Sequence, residues 1–288
     1  MKTLVIRLSS LGDVVLAGQV TANLGPVTFL TSRRYVEVAQ ALQGVTEVLA
    51  WEDQPNIHSA GFERVVDLHA SPRSRWLSRG MTVQRVKRFD VQRRLRVALK
   101  RAPAPSVSQR YSSAAGVPAQ PAPWMESHGH RDALLVVPGT AHATKQWAPG
   151  SYAEICQRWA KAGGKVWVIG SAGESDLCRE VAGHSGEVLA EAGFSETLRL
   201  VRTGRIALGG DTGLMHLAHA SGTPTLTLFG PTTKDDGFWP DGQGVSIPLS
   251  CRPCSRHGGA VCPIGDLSCM RDLSIDSVWE ALTHMVQP

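Results

Sequence analysis

The chain has 288 residues, a formal net charge of +5 and 42% hydrophobic side chains, which is enough for two domains with buried cores. No run of residues approaches the roughly 18 apolar side chains of a membrane-spanning helix, and Met1 leads directly into a strand rather than into the apolar region of a signal peptide. We therefore expect a globular protein that stays in the cytoplasm.

The first hundred residues alternate apolar strands with helices, joined by short loops. The predicted strands cover residues 3–8, 27–30, 47–50, 64–68 and 83–88. The predicted helices cover residues 14–24, 34–42, 72–77 and 91–101. This alternation is typical of a parallel, doubly wound sheet, so the sequence predicts an α/β fold.

A second alternation follows a segment of different composition. Residues 102–131 are rich in Pro, Ser, Ala and Gly, which predicts a loop that links two domains. Further strands are predicted at 133–137, 165–169, 188–189 and 206–208, and further helices at 151–162, 176–182, 195–202 and 275–285. We therefore place one domain at residues 1–125, a second at 126–270 and a terminal helical segment at 271–288.

The stretch from Gly209 to Thr232 has the pattern strand, turn, helix, turn, strand, with Asp211 in its glycine-rich turn. Such a turn presents unpaired N–H groups and the positive end of a helix dipole, which suit a phosphate or a polyol. The alternative is that Asp211 only caps the helix that follows. Residues 9–13 repeat the pattern, and the turns after residues 8, 137, 169 and 208 all follow the carboxyl ends of strands. These turns can therefore converge on one cleft between two domains.

Positive charge is concentrated between Arg73 and Arg110. This segment contains twelve Lys or Arg residues and a single acidic residue, Asp90. A segment of this kind should contact an anionic partner: nucleic acid, an anionic membrane surface, or a substrate with phosphates and carboxylates. Nucleic acid fits less well, because few stacking aromatic side chains accompany the arginines. A solvated helix face is the alternative, although such faces usually mix both signs.

Four late cysteines have the spacing C-x2-C-x7-C-x6-C, at Cys251, Cys254, Cys262 and Cys269. They could hold a structural zinc ion, although the gap between the pairs is shorter than in usual zinc sites. Reduced, packed thiols are the alternative, and both interpretations stay open.

Three motifs in a fixed order resemble those of the lipopolysaccharide heptosyltransferases of glycosyltransferase family 9, and are closer to the second-heptose type. They are Arg7 to Asp13, Lys145-Gln146-Trp147, and Asp211 to His216 leading to residues 229–232. The resemblance implies a GT-B fold, in which two Rossmann-like doubly wound domains face each other across a cleft. It further implies that the terminal helix returns toward the N-terminal domain.

The same resemblance implies inverting transfer of a heptose from ADP-heptose to a hydroxyl of the lipopolysaccharide inner core, with no cofactor and no metal. The partners would be ADP-heptose, a lipid A-linked acceptor and the anionic inner face of the inner membrane, and not nucleic acid. The alternative that we retain is a GT-B glycosyltransferase with another nucleotide sugar or another surface glycan. The chain departs from the family pattern in being shorter than typical members and in having Ala17-Gly18-Gln19 where the first helix commonly carries a proline.

In this resemblance Asp13 matches the general base, which takes the proton of the acceptor hydroxyl. Its alternative role is to cap a helix that begins at Val14. The acceptor-binding residues would be Ser10, His69, Arg73 and Arg75.

Lys145 matches the family's phosphate-binding lysine, and a fixed cation there could replace a metal. Glu174 would accept hydrogen bonds from the ribose or, alternatively, only stabilise the first turn of a helix, and Asp211 would accept from heptose hydroxyls. The remaining predicted donor-binding residues are Thr140, Thr144, Thr212, Gly213 and His216.

Overall fold

In this computed structural model, the described part of the chain comprises residues 1–87, 105–125, 133–234, 243–255 and 257–286. The chain divides into two compact units. The first comprises Met1–Glu126 and Gly237–Pro240, and the second Ser127–Asp236 and Asp241–Pro288.

The first unit is built on five parallel strands. They are β1 (Thr3–Ile6), β2 (Val27–Thr31), β3 (Val45–Ala50), β4 (Arg64–Asp67) and β5 (Val83–Arg85), in the spatial order β3-β2-β1-β4-β5. Its helices are α1 (Leu11–Leu16), α2 (Gly18–Leu24), α3 (Val36–Gln40), α4 (Pro72–Leu77) and α5 (Val107–Ala115). Strand β1 is wholly buried because it lies at the centre of the sheet, so its carboxyl end opens directly beside that of β4.

Two predictions for the first unit need correction. The helix predicted at 14–24 is two helices, α1 and α2, and Gly18 at their junction packs against Leu42 and Trp124, where a side chain would not fit. Residues 102–131 are not loop throughout, because they include α5. Its start is fixed by Ser106, whose Oγ accepts the N–H of Gln109 at 3.0 Å. The predicted helix at 91–101 lies outside the described residues.

The second unit is a six-stranded parallel sheet. Its strands are β6 (Ala133–Val137), β7 (Lys165–Ile169), β8 (Glu187–Leu189), β9 (Gly204–Gly210), β10 (Thr225–Leu228) and β11 (Gln243–Val245), in the order β11-β10-β9-β6-β7-β8. Its helices are α6 (Pro149–Lys161), α7 (Ser175–Ala182), α8 (Phe194–Thr203), α9 (Gly213–Ala220), α10 (Ser268–Arg271) and α11 (Ile275–Met285). The predicted strands and helices of this half are all present, and β11 and α10 are additions.

The last helix, α11, packs within the second unit. Val278 and Leu282 are buried in that unit's core, and the Trp279 ring meets Trp159 of α6 edge to face at 6.4 Å. The Trp147 indole N–H also donates to the carbonyl of Leu273 just before the helix, at 3.1 Å. The predicted return of residues 271–288 toward the N-terminal domain stays a prediction.

Within the described residues, no helix combines the length and the apolar character needed to cross a membrane.

Candidate functional site

Both sheets have a point at which the strand order changes direction. In the first unit it lies between β1 and β4, and in the second between β6 and β9. Loops on either side of such a point diverge, so ligands of doubly wound sheets bind there, beyond the carboxyl ends of the strands. An ion pair with little exposure lies at each of these two points, Arg7 with Asp13 and Lys145 with Asp211.

Asp13 lies at the β1 end of the first unit, in the first turn of α1. Its Oδ2 is 2.6 Å from Nη2 of Arg7 and accepts hydrogen bonds from Ser10 Oγ at 3.0 Å and Ser10 N at 3.3 Å. Its Oδ1 accepts a hydrogen bond from the hydroxyl of Tyr111 at 3.0 Å. The helix begins at Leu11 with Ser10 as its N-cap, so the alternative that Asp13 caps a helix starting at Val14 is wrong.

The Asp13 carboxyl group is held in its ionised form. Burial alone raises its pKa, but the positive charge of Arg7 and the hydrogen bonds from Ser10 outweigh burial, and the pKa lies below the ordinary value. Burial raises the pKa of Tyr111 far above its usual range, so its hydroxyl keeps its proton and donates. A rigid, ionised carboxylate of this kind can accept a proton from an incoming hydroxyl.

Asp67, which the sequence analysis did not single out, organises the loop after β4. Its side chain is fully buried and accepts the N–H groups of His69 at 3.0 Å and Ala70 at 2.8 Å. It also accepts Ser74 Oγ at 3.0 Å and Nε of Arg85 at 2.9 Å. These bonds fix the start of α4 and explain how Ala70 is held in a left-handed conformation with φ of 51°.

Of the four predicted acceptor residues, the structure brings Ser10 against Asp13 and puts the others after β4. His69 is half-buried, whereas Arg73 and Arg75 are exposed on α4. The Arg73 guanidinium lies 4.1 Å from the centre of the Trp51 ring, a cation–π contact that holds the side chain in place. Arg7 ties the two loops together, because its Nη1 donates to the carbonyl of Leu68 at 2.7 Å.

In the second unit, Lys145 and Asp211 form a buried ion pair. Lys145 follows β6 and Asp211 follows β9, and Nζ of Lys145 lies 2.7 Å from Asp211 Oδ2 and 3.2 Å from the Asp211 carbonyl. The two side chains are only 8% and 6% exposed. The motifs that contain them are 66 residues apart in sequence, and the parallel pairing of β6 with β9 makes them neighbours.

Further groups hold Asp211 in its charged form. Oδ2 also accepts the Thr232 hydroxyl at 3.2 Å, and Nε2 of His216 lies 3.6 Å from Oδ1. Burial raises the pKa of Asp211, but the nearby His216 imidazole and the charge of Lys145 outweigh burial, and the pKa lies well below the ordinary range. Thr212, not Asp211, is the N-cap of α9, so the alternative that Asp211 serves only as a cap is wrong.

Glu174 lies at the end of the short 3-10 turn Ala172–Glu174, which follows β7. Its Oε2 accepts both the N–H and the hydroxyl of Ser171, each at 2.7 Å. Oε1 lies directly over Gly139, in the turn after β6, where any side chain would overlap the carboxylate. The missing side chain at 139 therefore brings Glu174 beside the β6 turn that leads to Lys145.

The three predicted threonines differ in their surroundings. Thr144 exchanges hydrogen bonds with Gly259, donating to its carbonyl at 3.0 Å and accepting its N–H at 2.8 Å. Thr140 accepts the N–H of His142 at 3.3 Å. Thr212 Oγ1 is buried at the start of α9 without a hydrogen-bond partner among the described residues.

The loop that contains Cys251, Cys254 and Cys262 packs onto the Lys145 turn, and Cys269, the fourth of these cysteines, lies beyond it in α10. Gly258, with φ of +87°, lies against His142 and Lys145, where a side chain would be crowded. All four thiols are free. Among the described residues no group of three or more His, Cys, Asp or Glu side chains is arranged to hold a metal ion.

Sequence comparisons with known proteins find similarity to heptosyltransferases. A sequence model of glycosyltransferase family 9, described as heptosyltransferase, matches residues 82–261. Lipopolysaccharide heptosyltransferase 1 of Pseudomonas aeruginosa is 32% identical over 132 residues, or 43% of this chain and 36% of that protein. The chain therefore spans little more than a third of the length of the curated relative that it matches.

Solved structures show the same fold at low sequence identity. The E. coli ADP-heptose lps heptosyltransferase II superposes with a TM-score of 0.78 and 17% identity, over 99% of this chain and 98% of that one. The E. coli heptosyltransferase WaaC, solved with ADP-2-deoxy-2-fluoro heptose, gives a TM-score of 0.69 and 15% identity, over 99% of this chain and 100% of that one. The predicted fold class, a GT-B protein with two Rossmann-like doubly wound domains, is confirmed.

Proposed function

Because this chain belongs to glycosyltransferase family 9, we propose that it moves a heptose from ADP-heptose to a hydroxyl of the lipopolysaccharide inner core, with inversion at the anomeric carbon. The second unit would hold the nucleotide sugar, and the first unit the lipid A-linked acceptor. The reaction would need neither a metal ion nor another cofactor.

The observation that carries this proposal is the buried pair of Lys145 and Asp211 at the β6–β9 switch point. An ammonium group has three N–H donors, and two of them are directed at Asp211. The third can reach a phosphate oxygen. As the bond to the sugar breaks, negative charge grows on the leaving diphosphate, and a preorganised, water-poor cation stabilises that charge.

Two neighbouring features suit the rest of an ADP-sugar. The N-terminus of α9 offers unpaired N–H groups and the buried hydroxyl of Thr212, which together favour an anion or a sugar. Glu174 Oε1, next to Gly139, can accept hydrogen bonds from ribose hydroxyls. Asp211 would bind heptose hydroxyls with its carboxylate while it holds Lys145 in place.

In the first unit, Asp13 would act as the general base. The acceptor O–H gives its proton to the carboxylate, the acceptor oxygen bonds to the anomeric carbon, and the bond from that carbon to ADP breaks with its electron pair. Attack on the face opposite the leaving group inverts the configuration. One general base contributes on the order of 10²–10⁴ to such a rate.

The acceptor carries phosphates and acidic sugars, and exposed arginines near the β4 loop suit them. Arg73 and Arg75 project from α4, and His69 follows the same strand. Trp76 on this helix is 70% exposed. An exposed indole among arginines is typical of a surface that rests on anionic lipid, which supports a peripheral position at the inner face of the inner membrane.

The donor can be identified with a panel of nucleotide sugars. We expect ADP-heptose and ADP to raise the melting temperature of the wild-type protein, because a ligand that binds only the folded state stabilises it. UDP and GDP sugars should not. If only another nucleotide sugar raised the melting temperature, the alternative donor would be favoured. In a second assay, the same preparation with ADP-heptose should release ADP only when a lipid A core acceptor is added.

A further inference from the structure

The hydrogen bonds to Asp13 are unevenly divided between its two oxygens. Among the described residues, Oδ2 receives three donors: Arg7 Nη2 at 2.6 Å, Ser10 Oγ at 3.0 Å and Ser10 N at 3.3 Å. From the same residues Oδ1 receives one donor, the hydroxyl of Tyr111 at 3.0 Å. A carboxylate offers about four lone-pair positions, two on each oxygen. Oδ2 is therefore fully occupied, and Oδ1 keeps a position for one more donor.

Tyr111 is held firmly enough to control that oxygen. The residue is only 3% exposed, and the Arg7 guanidinium lies 5.6 Å from its ring centre. It lies on α5, whose first turn is closed by Ser106 and Gln109. The hydroxyl has a single proton and donates it to Oδ1, so Tyr111 adds a contact on this oxygen to the three that hold Oδ2.

Building on the proposed function, we propose that Tyr111 is a positioning residue that makes Oδ1 of Asp13 the atom that receives the acceptor's proton. The acceptor hydroxyl takes the remaining lone-pair position of Oδ1. Its proton moves to Oδ1 as its oxygen bonds to the anomeric carbon and ADP leaves with the electron pair. Tyr111 touches neither substrate in this step and acts only through Asp13.

The test is Tyr111→Phe, which keeps the ring and removes the hydroxyl. The matched control is Tyr35→Phe, the same change in the same unit, where the hydroxyl has no contact with Asp13 among the described residues. With one donor fewer, the Asp13 carboxylate is less stabilised, so the acid limb of the kcat/KM profile should move up by about half to one pH unit. We expect kcat to fall roughly tenfold, because Oδ1 is no longer held in position for the acceptor hydroxyl, while KM for ADP-heptose stays unchanged, because the donor would bind the other unit.

Other charged groups influence the pKa values of Asp13 and Tyr111, and the test requires that these groups be the same in every variant. In the described part of the chain they are Arg7 at the end of β1, Asp67 at the end of β4, which acts on Arg7, and Arg110 beside Tyr111 on α5. Neither substitution removes any of them. A shift of the acid limb in Tyr111→Phe alone therefore reports the lost hydrogen bond.

A readout without turnover separates this proposal from the proposed function. The ¹³C resonance of the Asp13 carboxyl group, titrated in the free protein, should give a higher pKa in Tyr111→Phe and an unchanged pKa in Tyr35→Phe. An unchanged Asp13 pKa in Tyr111→Phe would overturn the role of Tyr111, and so would a loss of kcat without movement of the acid limb. If wild-type protein releases no ADP from ADP-heptose, the proposed function fails, and the titration still decides whether Tyr111 controls Asp13.

Discussion

Two ion pairs lie at equivalent places in the two sheets, but the group that we propose acts on a substrate differs. It is the carboxylate in the first unit and the ammonium group in the second. Arg7 and Asp13 lie at the β1–β4 switch point, and Lys145 and Asp211 at the β6–β9 switch point, with nitrogen–oxygen distances of 2.6 and 2.7 Å. The Asp13 side chain is 17% exposed, whereas Asp211 is 6% exposed. The more exposed carboxylate, Asp13, can contact an acceptor hydroxyl. The buried carboxylate, Asp211, fixes the position of the Lys145 ammonium group, which can then bind an anionic ligand. The same elementary pair thus suits a base in one unit and an anion site in the other.

The largest effect should come from Asp13→Asn, which keeps the size of the side chain and removes its basicity. We expect turnover to fall by about 10²–10⁴ with ADP affinity unchanged, because ADP would bind the other unit. Initial rates of ADP release and calorimetric titration with ADP measure the two quantities. Asp53→Asn, at an exposed pair with Arg33, is the control and should keep full turnover. Normal turnover in Asp13→Asn would rule out Asp13 as the base.

Lys145→Met should impair donor use and stability together. Loss of the cation should lower kcat/KM by about 10²–10³. It also leaves Asp211 buried without its partner, so the free energy of unfolding should fall by about 3–5 kcal/mol, as measured by urea denaturation.

The double variant Lys145→Met/Asp211→Asn separates these two effects. Removing both charges should recover much of the lost stability and none of the activity. Lys161→Met, at an exposed lysine at the end of α6, is the control for loss of one positive charge. Full recovery of activity in the double variant would contradict the assignment of Lys145 to the diphosphate.

Gly139→Ala should displace the Glu174 carboxylate, because the new methyl group would overlap it. We expect ADP to bind about tenfold more weakly, which corresponds to about 1.4 kcal/mol. Gly150→Ala in α6 is the matched control, since a methyl group there meets no atom within 4 Å. Equal ADP affinities in the two variants would exclude Glu174 from the nucleotide site.

The smallest effect concerns stability in acid. The pKa values of Asp13 and Asp211 are both lowered from the ordinary 3.8. A carboxyl group whose pKa is lower in the folded state stabilises the fold above its unfolded pKa, and this stabilisation is lost as the pH falls below that value. Melting temperatures between pH 7 and 3 should therefore drop more steeply below pH 4 in the wild type than in Asp211→Asn. Parallel curves would show that Asp211 does not stabilise the fold through its charge.

Much of the fold could be predicted because it depends on local patterns. Apolar strands, short loops and the turns at Asp13 and Asp211 can each be recognised from neighbouring residues. The alternation of strands with helices then predicts both parallel sheets. Helix α5 was missed because the composition of residues 102–131 suggested a loop, although Ser106 and Gln109 carried a capping signal. The close contact of Gly18, at the junction of α1 and α2, with Trp124 joins residues more than a hundred positions apart, which no local pattern contains.

The candidate site divides in the same way. Asp211 was singled out by the glycine-rich turn that contains it, and Asp13 and Lys145 by motifs that resemble those of the family. Their partners could not be predicted, since Tyr111 reaches Asp13 across 98 residues and Thr232 reaches Asp211 through the pairing of β9 with β10. Nearness of this kind is decided by strand order and helix packing.

The most direct test is the reaction itself, with wild-type protein, ADP-heptose and a lipid A-linked core acceptor. We expect stoichiometric release of ADP and a heptosylated product, with the anomeric configuration, read by NMR, inverted relative to the donor. Release of ADP with retained configuration would contradict a single displacement assisted by Asp13. Absence of both ADP and product, in protein that binds ADP, would contradict the proposed transfer.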